Sequence, residues 1–175
     1  MTSDTGATSG ATGLTGTTDT TPPTSPDVGE YDDYQQYPIT DIADVRKPDG
    51  SIGVLSIPEI NLNVTAFDGD TYTAMEKGIG HIASTSAWQG NIGLVGHNRG
   101  ANDNFGKLKN LVVGDELSYT TVLGTKNYVV VSVDKISETD WSKLEYTQDN
   151  RITMITCVED VSTQRLCVQA VEKVM

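Results

Sequence analysis

From Ser51 onward the chain alternates short runs of β-branched and aromatic residues with punctuation by Gly, Asp and Pro, and this rhythm limits the fold more than any other feature. Apolar, β-branched runs of roughly four to eight residues bounded by turn formers read as strands. Ile52, Val54 and Ile57, then Ile60, Leu62 and Val64, predict two short strands broken at Pro58, with an Asp-Gly turn at Asp68–Gly69. Asp70 and Thr71 are placed to cap a short helix running to Lys77, and Gly78 to end it. Asn91–Val95 predicts a strand that delivers Gly96-His97-Asn98-Arg99-Gly100 at its end, and Asn104 a capped helical turn at Phe105–Leu108. Glu116–Thr121, Tyr128–Val133, Arg151–Cys157 and Gln164–Lys173 read as further strands. Ser137–Leu144 is a longer polar connection with one helical turn around Trp141. Short strands at roughly 10-residue spacing, with only short helical pieces between them, indicate an all-β fold built as a closed or nearly closed barrel.

Charge divides the chain. Residues 1–45 carry eight acidic residues and no basic ones, and ten of the first twenty-five residues are Thr, interleaved with Gly, Ser and Pro. Such a stretch has too little apolar surface to offset the entropy of ordering it, so it is expected to be a flexible acidic spacer or stalk. The rest, 46–175, is expected to be the folded domain. It holds sixteen acidic against twelve basic residues, so most of the net charge of −12 belongs to the spacer. No basic stripe is present, which argues against nucleic acid as a partner. No apolar run approaches the roughly 20 residues needed to span a bilayer, and no signal-peptide pattern is visible, so the chain as it stands is expected to be soluble.

Chemistry concentrates in Arg151–Val171. Cys157 ends an apolar strand instead of lying inside it, and Arg165 opens the next strand after a seven-residue connection. A thiol attacks as thiolate, which proteins favour by setting a positive charge or an imidazole beside it. The alternative is an inert buried cysteine, the common state of that residue type. The chain has only two histidines. His97 is the better base, because it follows a buried-looking strand between Gly96 and Gly100, an arrangement expected to leave its ring exposed at a barrel rim. His81 is expected to line the same rim. The fork of donors on Arg165 suits a developing oxyanion or a substrate carbonyl. Strand alternation puts Arg165 and Cys167 on one face, and Cys167 reads as packing beneath the site. The two cysteines are too few for a disulfide scaffold, although a Cys157–Cys167 bridge is conceivable. His81, His97, Cys157 and Cys167 would complete a zinc set by residue type, but their spacings lack the close ligand pairs of such sites.

These residues resemble the sortase family. TMITC (Thr153–Cys157) is similar to the family's TLxTC signature, with Met154 in place of Leu. Arg165 in TQRLCV matches the second signature, and Gly78–Gly100 resembles the stretch that carries the catalytic His of a Gly-His pair. The similarity runs over about residues 50–173. It implies an eight-stranded β-barrel whose nucleophile is Cys157, whose histidine is His97 and whose arginine is Arg165, with Thr156, His81 and Asn98 placed as substrate-contacting residues. It also implies a membrane-anchored cysteine transpeptidase on the outer face of a Gram-positive cell membrane, with the anchor outside this chain. Its substrates would be surface proteins with an LPxTG-like sorting signal, and its acceptor an amine of cell-wall precursor (lipid II) or of pilin. No cofactor and no metal are expected. The short connection before Arg165 and the lack of a lid-like segment favour a housekeeping or class D-like member, or a class A-like one, over a pilin-polymerising one. Two other readings stand beside it: a thiol peptidase that hydrolyses the same thioester with water, and a non-catalytic β-barrel surface module.

Overall fold

The computed structural model describes residues 37–174. Of the spacer expected over 1–45, residues 1–36 lie outside them. Eight strands form a closed barrel in the order β1-β2-β3-β4-β7-β8-β6-β5. They are β1 (Ser51–Ile57), β2 (Leu62–Phe67), β3 (Ile79–His81), β4 (Asn91–Val95), β5 (Glu116–Thr121), β6 (Gly124–Ser137), β7 (Arg151–Val158) and β8 (Val161–Glu172), with one short helix, α1 (Tyr72–Lys77). The β2–β3 and β4–β7 pairs are parallel and the others antiparallel. The all-β barrel expected from the strand rhythm is therefore the fold observed.

Alternation along the strands sorts the apolar residues into two layers. Ile92 and Leu94 of β4, Ile152 and Met154 of β7, and Val168 and Ala170 of β8 are fully buried in the main core, with Tyr119 and Tyr128. The opposite face of the same strands holds a second buried cluster of Ile82, Ile136, Leu144, Ile155 and Cys167. β7 is thus covered on both faces, which is why it reads as a nearly unbroken apolar run. Each large side chain so enclosed contributes about 1.5–3 kcal/mol over its exposed state.

The elements expected from sequence recur with shifts that have local causes. Thr71 caps α1 by accepting from the Ala74 amide. Gly78 follows because a Cβ there would fall 2.1 Å from the Thr65 carbonyl oxygen. β3 is too short to show an alternation of its own and is defined by its neighbours β2 and β4. β6 is longer than expected at both ends, since pairing with β5 and β8 holds its polar residues in the ladder. Asn104 does not cap a turn: its side chain donates to the Gly78 carbonyl, and the 3-10 turn lies at Leu108–Asn110 instead of Phe105–Leu108. Residues 38–45 pack on the barrel. The Thr40 amide donates to the Ser86 hydroxyl, Ala87 donates to the Thr40 carbonyl, and Val45 is in the core. Packed chain thus reaches back ahead of residue 46. Among the described residues no helix is long and apolar enough to cross a membrane.

Candidate active site

The strand register assembles the site. β4 and β7 run parallel with Val95 opposite Ile155, so His97 and Cys157 each lie two residues beyond a matched pair, at the same end of the barrel. β7 and β8 run antiparallel with Cys157 directly opposite Arg165. Directly opposed residues of an antiparallel pair project to one face. The face shared by Cys157 and Arg165 also carries the Ile155–Cys167 pair.

The connection between the two strands differs from expectation. In place of seven residues there is a tight turn, with Val158 opposite Val161, and a register shift on β8 then restores the ladder at Arg165. Asp160 takes the turn at φ 59°, a conformation that Asp tolerates better than most residues. The buried apolar run of β8 begins only at Leu166, so the polar residues Ser162–Gln164 hid the early start of the strand.

Cys157 is exposed and free, and Cys167 is free and buried. Burial pushes the Cys167 thiol up to about 11. It packs among Ile82, Ile136, Leu144 and Ile155, as a cysteine beneath the site should. Asn98 donates from Nδ2 to the Cys157 carbonyl at 2.8 Å, tying the loop after β4 to the end of β7. The Thr156 hydroxyl donates to the Gly96 carbonyl at 2.7 Å from a buried position. It thereby holds the peptide just before His97. Gly96 fits closely here, because a Cβ would press on the Phe105 ring at 3.0 Å.

His97 is not the open rim residue that its flanking glycines predicted. Its ring is half-buried and lies against Tyr72 of α1, with centroids 5.3 Å apart and planes at 58°. Its Nε2 is buried with no hydrogen-bond partner among the described residues. Arg165 is half-buried and engaged: Nη1 donates to the carbonyls of Ser162 and Gln164, and Nη2 meets Glu138 at 3.3 Å.

His81 is not brought to this end of the barrel. β3 runs antiparallel to β4 with His81 opposite Leu94, which carries it away from the Gly96 end. It is buried, and its Nε2 contacts the Ser86 carbonyl at 3.0 Å and the Thr85 hydroxyl at 3.3 Å. Burial holds its pKa below the usual imidazole range. The four candidate zinc ligands do not converge, and no metal-binding group of His, Cys, Asp and Glu occurs among the described residues.

A cleft of about 300 Å3 opens beside Cys157, with Asn98, Thr156, Glu159, Lys109 and Lys135 on its lining. On the other side, the connection between β6 and β7 is fastened down by a buried polar network. Asn91 Nδ2 donates to the Lys143 and Glu145 carbonyls, Thr153 donates to Asn91 Oδ1, and Gln169 donates to the Lys143 carbonyl and the Thr153 hydroxyl. Sequence reasoning missed Tyr72, Glu138, Lys109, Lys135 and this network. Only the alternation of β6 around Lys135 offered a signal, and it became readable once the register with β8 was known.

The family model for the Sortase domain matches residues 55–173. Sortase A of Listeria monocytogenes is 29% identical over 119 residues, covering 67% of this chain and 54% of that protein. Sortase A of Bacillus anthracis is 27% identical over 109 residues, covering 61% of this chain and 52% of that protein. The chain thus spans about half the length of these curated relatives. The crystal structure of sortase C1 from Streptococcus agalactiae superposes with a TM-score of 0.68 at 25% identity, over 74% of this chain and 70% of that one. The sequence relatives carry the A label and the structural neighbour the C1 label, so the likeness reaches the family and not a subclass.

Proposed function

Because this chain belongs to the sortase family, we propose that it is a cysteine transpeptidase in which Cys157, His97 and Arg165 carry the reaction. The observation that supports this most directly is the register: Cys157 stands opposite Arg165 and level with His97 at one end of the barrel. The Cys157 thiolate attacks the carbonyl carbon of the threonine in an LPxTG-like sorting signal. The peptide C–N bond breaks, His97 gives a proton to the leaving amine, and the acyl group remains on Cys157 as a thioester. An incoming amine then loses its proton to His97 and attacks the thioester. A new C–N bond forms, the C–S bond breaks, and the thiolate returns. Arg165 exchanges its partly exposed pair with Glu138, at 3.3 Å, for the substrate carbonyl as charge develops on it.

In this reading the substrates are surface proteins with the sorting signal, and the acceptor is an amine of the cell-wall precursor or of a pilin. The enzyme works at the outer face of a Gram-positive cell membrane. The acidic, Thr-rich stretch ahead of residue 38 is its tether to an anchor, and the barrel, with residues 38–45 packed on it, its catalytic domain. Asn98 and Thr156 act on the backbone around Cys157 and His97, while His81 supports the fold.

The test is incubation with an LPxTG-type peptide and an amine, read by intact mass. The expected result is a thioester adduct on the wild type, an amine-linked product, and neither with Cys157→Ala. Cleavage with no amine-linked product would instead establish a hydrolase acting through the same thioester.

A further inference from the structure

The cleft beside Cys157 holds charged side chains that the reaction above does not use. Lys135 stands opposite Leu166, and Leu166 opposite Thr156. By alternation these three belong to the face of β7 and β8 that turns into the barrel mouth, whereas Cys157 and Arg165 project to the other face. Lys135, Leu166, Thr156 and Cys157 nevertheless line one cleft. That cleft therefore wraps round the end of β7 and joins the barrel mouth to the nucleophile.

Lys109 enters it from the turn at Leu108–Asn110 and lies 3.5 Å from Glu159, with both side chains more than half exposed (63% and 65%). A pair so exposed is weak and readily exchanged for a better partner. Lys135 makes no ion pair among the described residues. Residues 46–175 carry sixteen acidic against twelve basic residues, yet this cleft is lined by two ammonium groups against one carboxylate.

We infer that this arm of the cleft receives the acceptor amine, and that Lys109 and Lys135 read a carboxylate borne close to that amine, as at an α-amino acid end. The inference rests on the transpeptidase reading. The acyl chain on Cys157 occupies the face shared with Arg165, so the barrel-mouth side is the approach it leaves clear. Glu159 meets the acceptor's ammonium form before His97 takes the proton. The two lysines hold the carboxylate and so orient the nitrogen toward the thioester carbon.

The experiment is a competition. Glycine and glycinamide at equal concentration are offered to the peptide-loaded enzyme, and the ratio of the two products is read by mass. The ratio is internal to each reaction, so a slower variant reports as faithfully as a fast one. The expected result is a fall of about tenfold in the glycine-to-glycinamide ratio on going from wild type to Lys109→Gln/Lys135→Gln, the size of one charge-assisted contact. An unchanged ratio overturns the inference. A second arm compares acyl-enzyme formation from sorting peptides with Glu or Gln at the variable position. A selective loss on the Glu peptide with no change in product ratio assigns the lysines to the donor and likewise overturns it. If no acyl-enzyme forms on the wild type, the intact mass shows that the transpeptidase reading itself has failed, and this inference falls with it.

Discussion

At the residue scale, burial separates the two thiols as strand position already suggested. Iodoacetamide should alkylate the exposed Cys157 in the native protein and spare Cys167, whose burial holds it as the neutral thiol. Peptide mapping by mass spectrometry reads this, and labelling of both sites at equal rate would contradict the packing described. Cys167→Ala should keep most of the turnover that Cys157→Ala abolishes. Arg165 faces a stricter demand. If it meets the oxyanion through two donors, Arg165→Lys should be nearly as damaging as Arg165→Ala, and near-normal rates with Lys would remove that role. Tyr72 acts through His97, whose ring it covers at 5.3 Å. Tyr72→Ala should lower kcat more than it raises KM, and should shift the imidazole proton resonances of His97 by removing the ring current. Tyr72→Phe should restore both. With only two histidines in the chain, the affected signal is readily assigned.

At the element scale, the connection from β6 to β7 owes its position to side chains outside it. Asn91 is 1% exposed and satisfies two carbonyls of that connection while accepting from Thr153. Asn91→Ala removes the side-chain donor of the Glu145 carbonyl, while Gln169 and Thr153 still serve the Lys143 carbonyl, and should cost about 1–3 kcal/mol, measured by urea unfolding. Because Leu144 of the same connection packs on Ile155 and Cys167 beneath the nucleophile, KM for the sorting peptide should rise as well. A stability loss with unchanged KM would show that the connection only covers the core. β7 and β8 illustrate how legibility varies within one hairpin. β7 was plain because both its faces are buried, so every position after Arg151 is apolar or small. β8 was half legible, since its first residues leave the core and carry polar side chains while still pairing.

At the scale of the whole molecule, His81 links the fold to pH. Its native pKa is lowered by burial. The unfolded chain, with an ordinary value of about 6.5, therefore binds more protons just below that pH than the native state does. Stability should accordingly be full above pH 7 and decline as pH falls through about 6.5, until the native ring also takes a proton. Thermal melts between pH 7.5 and 5.5 check this: the midpoint should fall across that window in the wild type and fall less in His81→Asn. An equal slope in both would place the effect elsewhere. Barrel closure couples this local event to global unfolding, since β3, which carries His81, bridges β2 to β4 and the barrel has no free edge.

The strand rhythm by itself determined the all-β barrel, because period-2 alternation and turn formers are local properties that survive in one dimension. It also singled out Cys157, Arg165 and His97, since a thiol at a strand end, an arginine heading an apolar run and a Gly-flanked histidine are visible as departures from the packing pattern. Only the tertiary structure decided what surrounds them. The Cys157–Arg165 pairing depends on a register shift, the contact of Tyr72 with His97 joins two separate elements, and the cleft with Lys109 and Lys135 exists only once β6, β7 and β8 lie side by side. The sequence ranks His97 above His81 but places both at the barrel rim. Strand direction, antiparallel for β3 and parallel for β4 against β7, sends one into the wall of the barrel and brings the other level with the thiol.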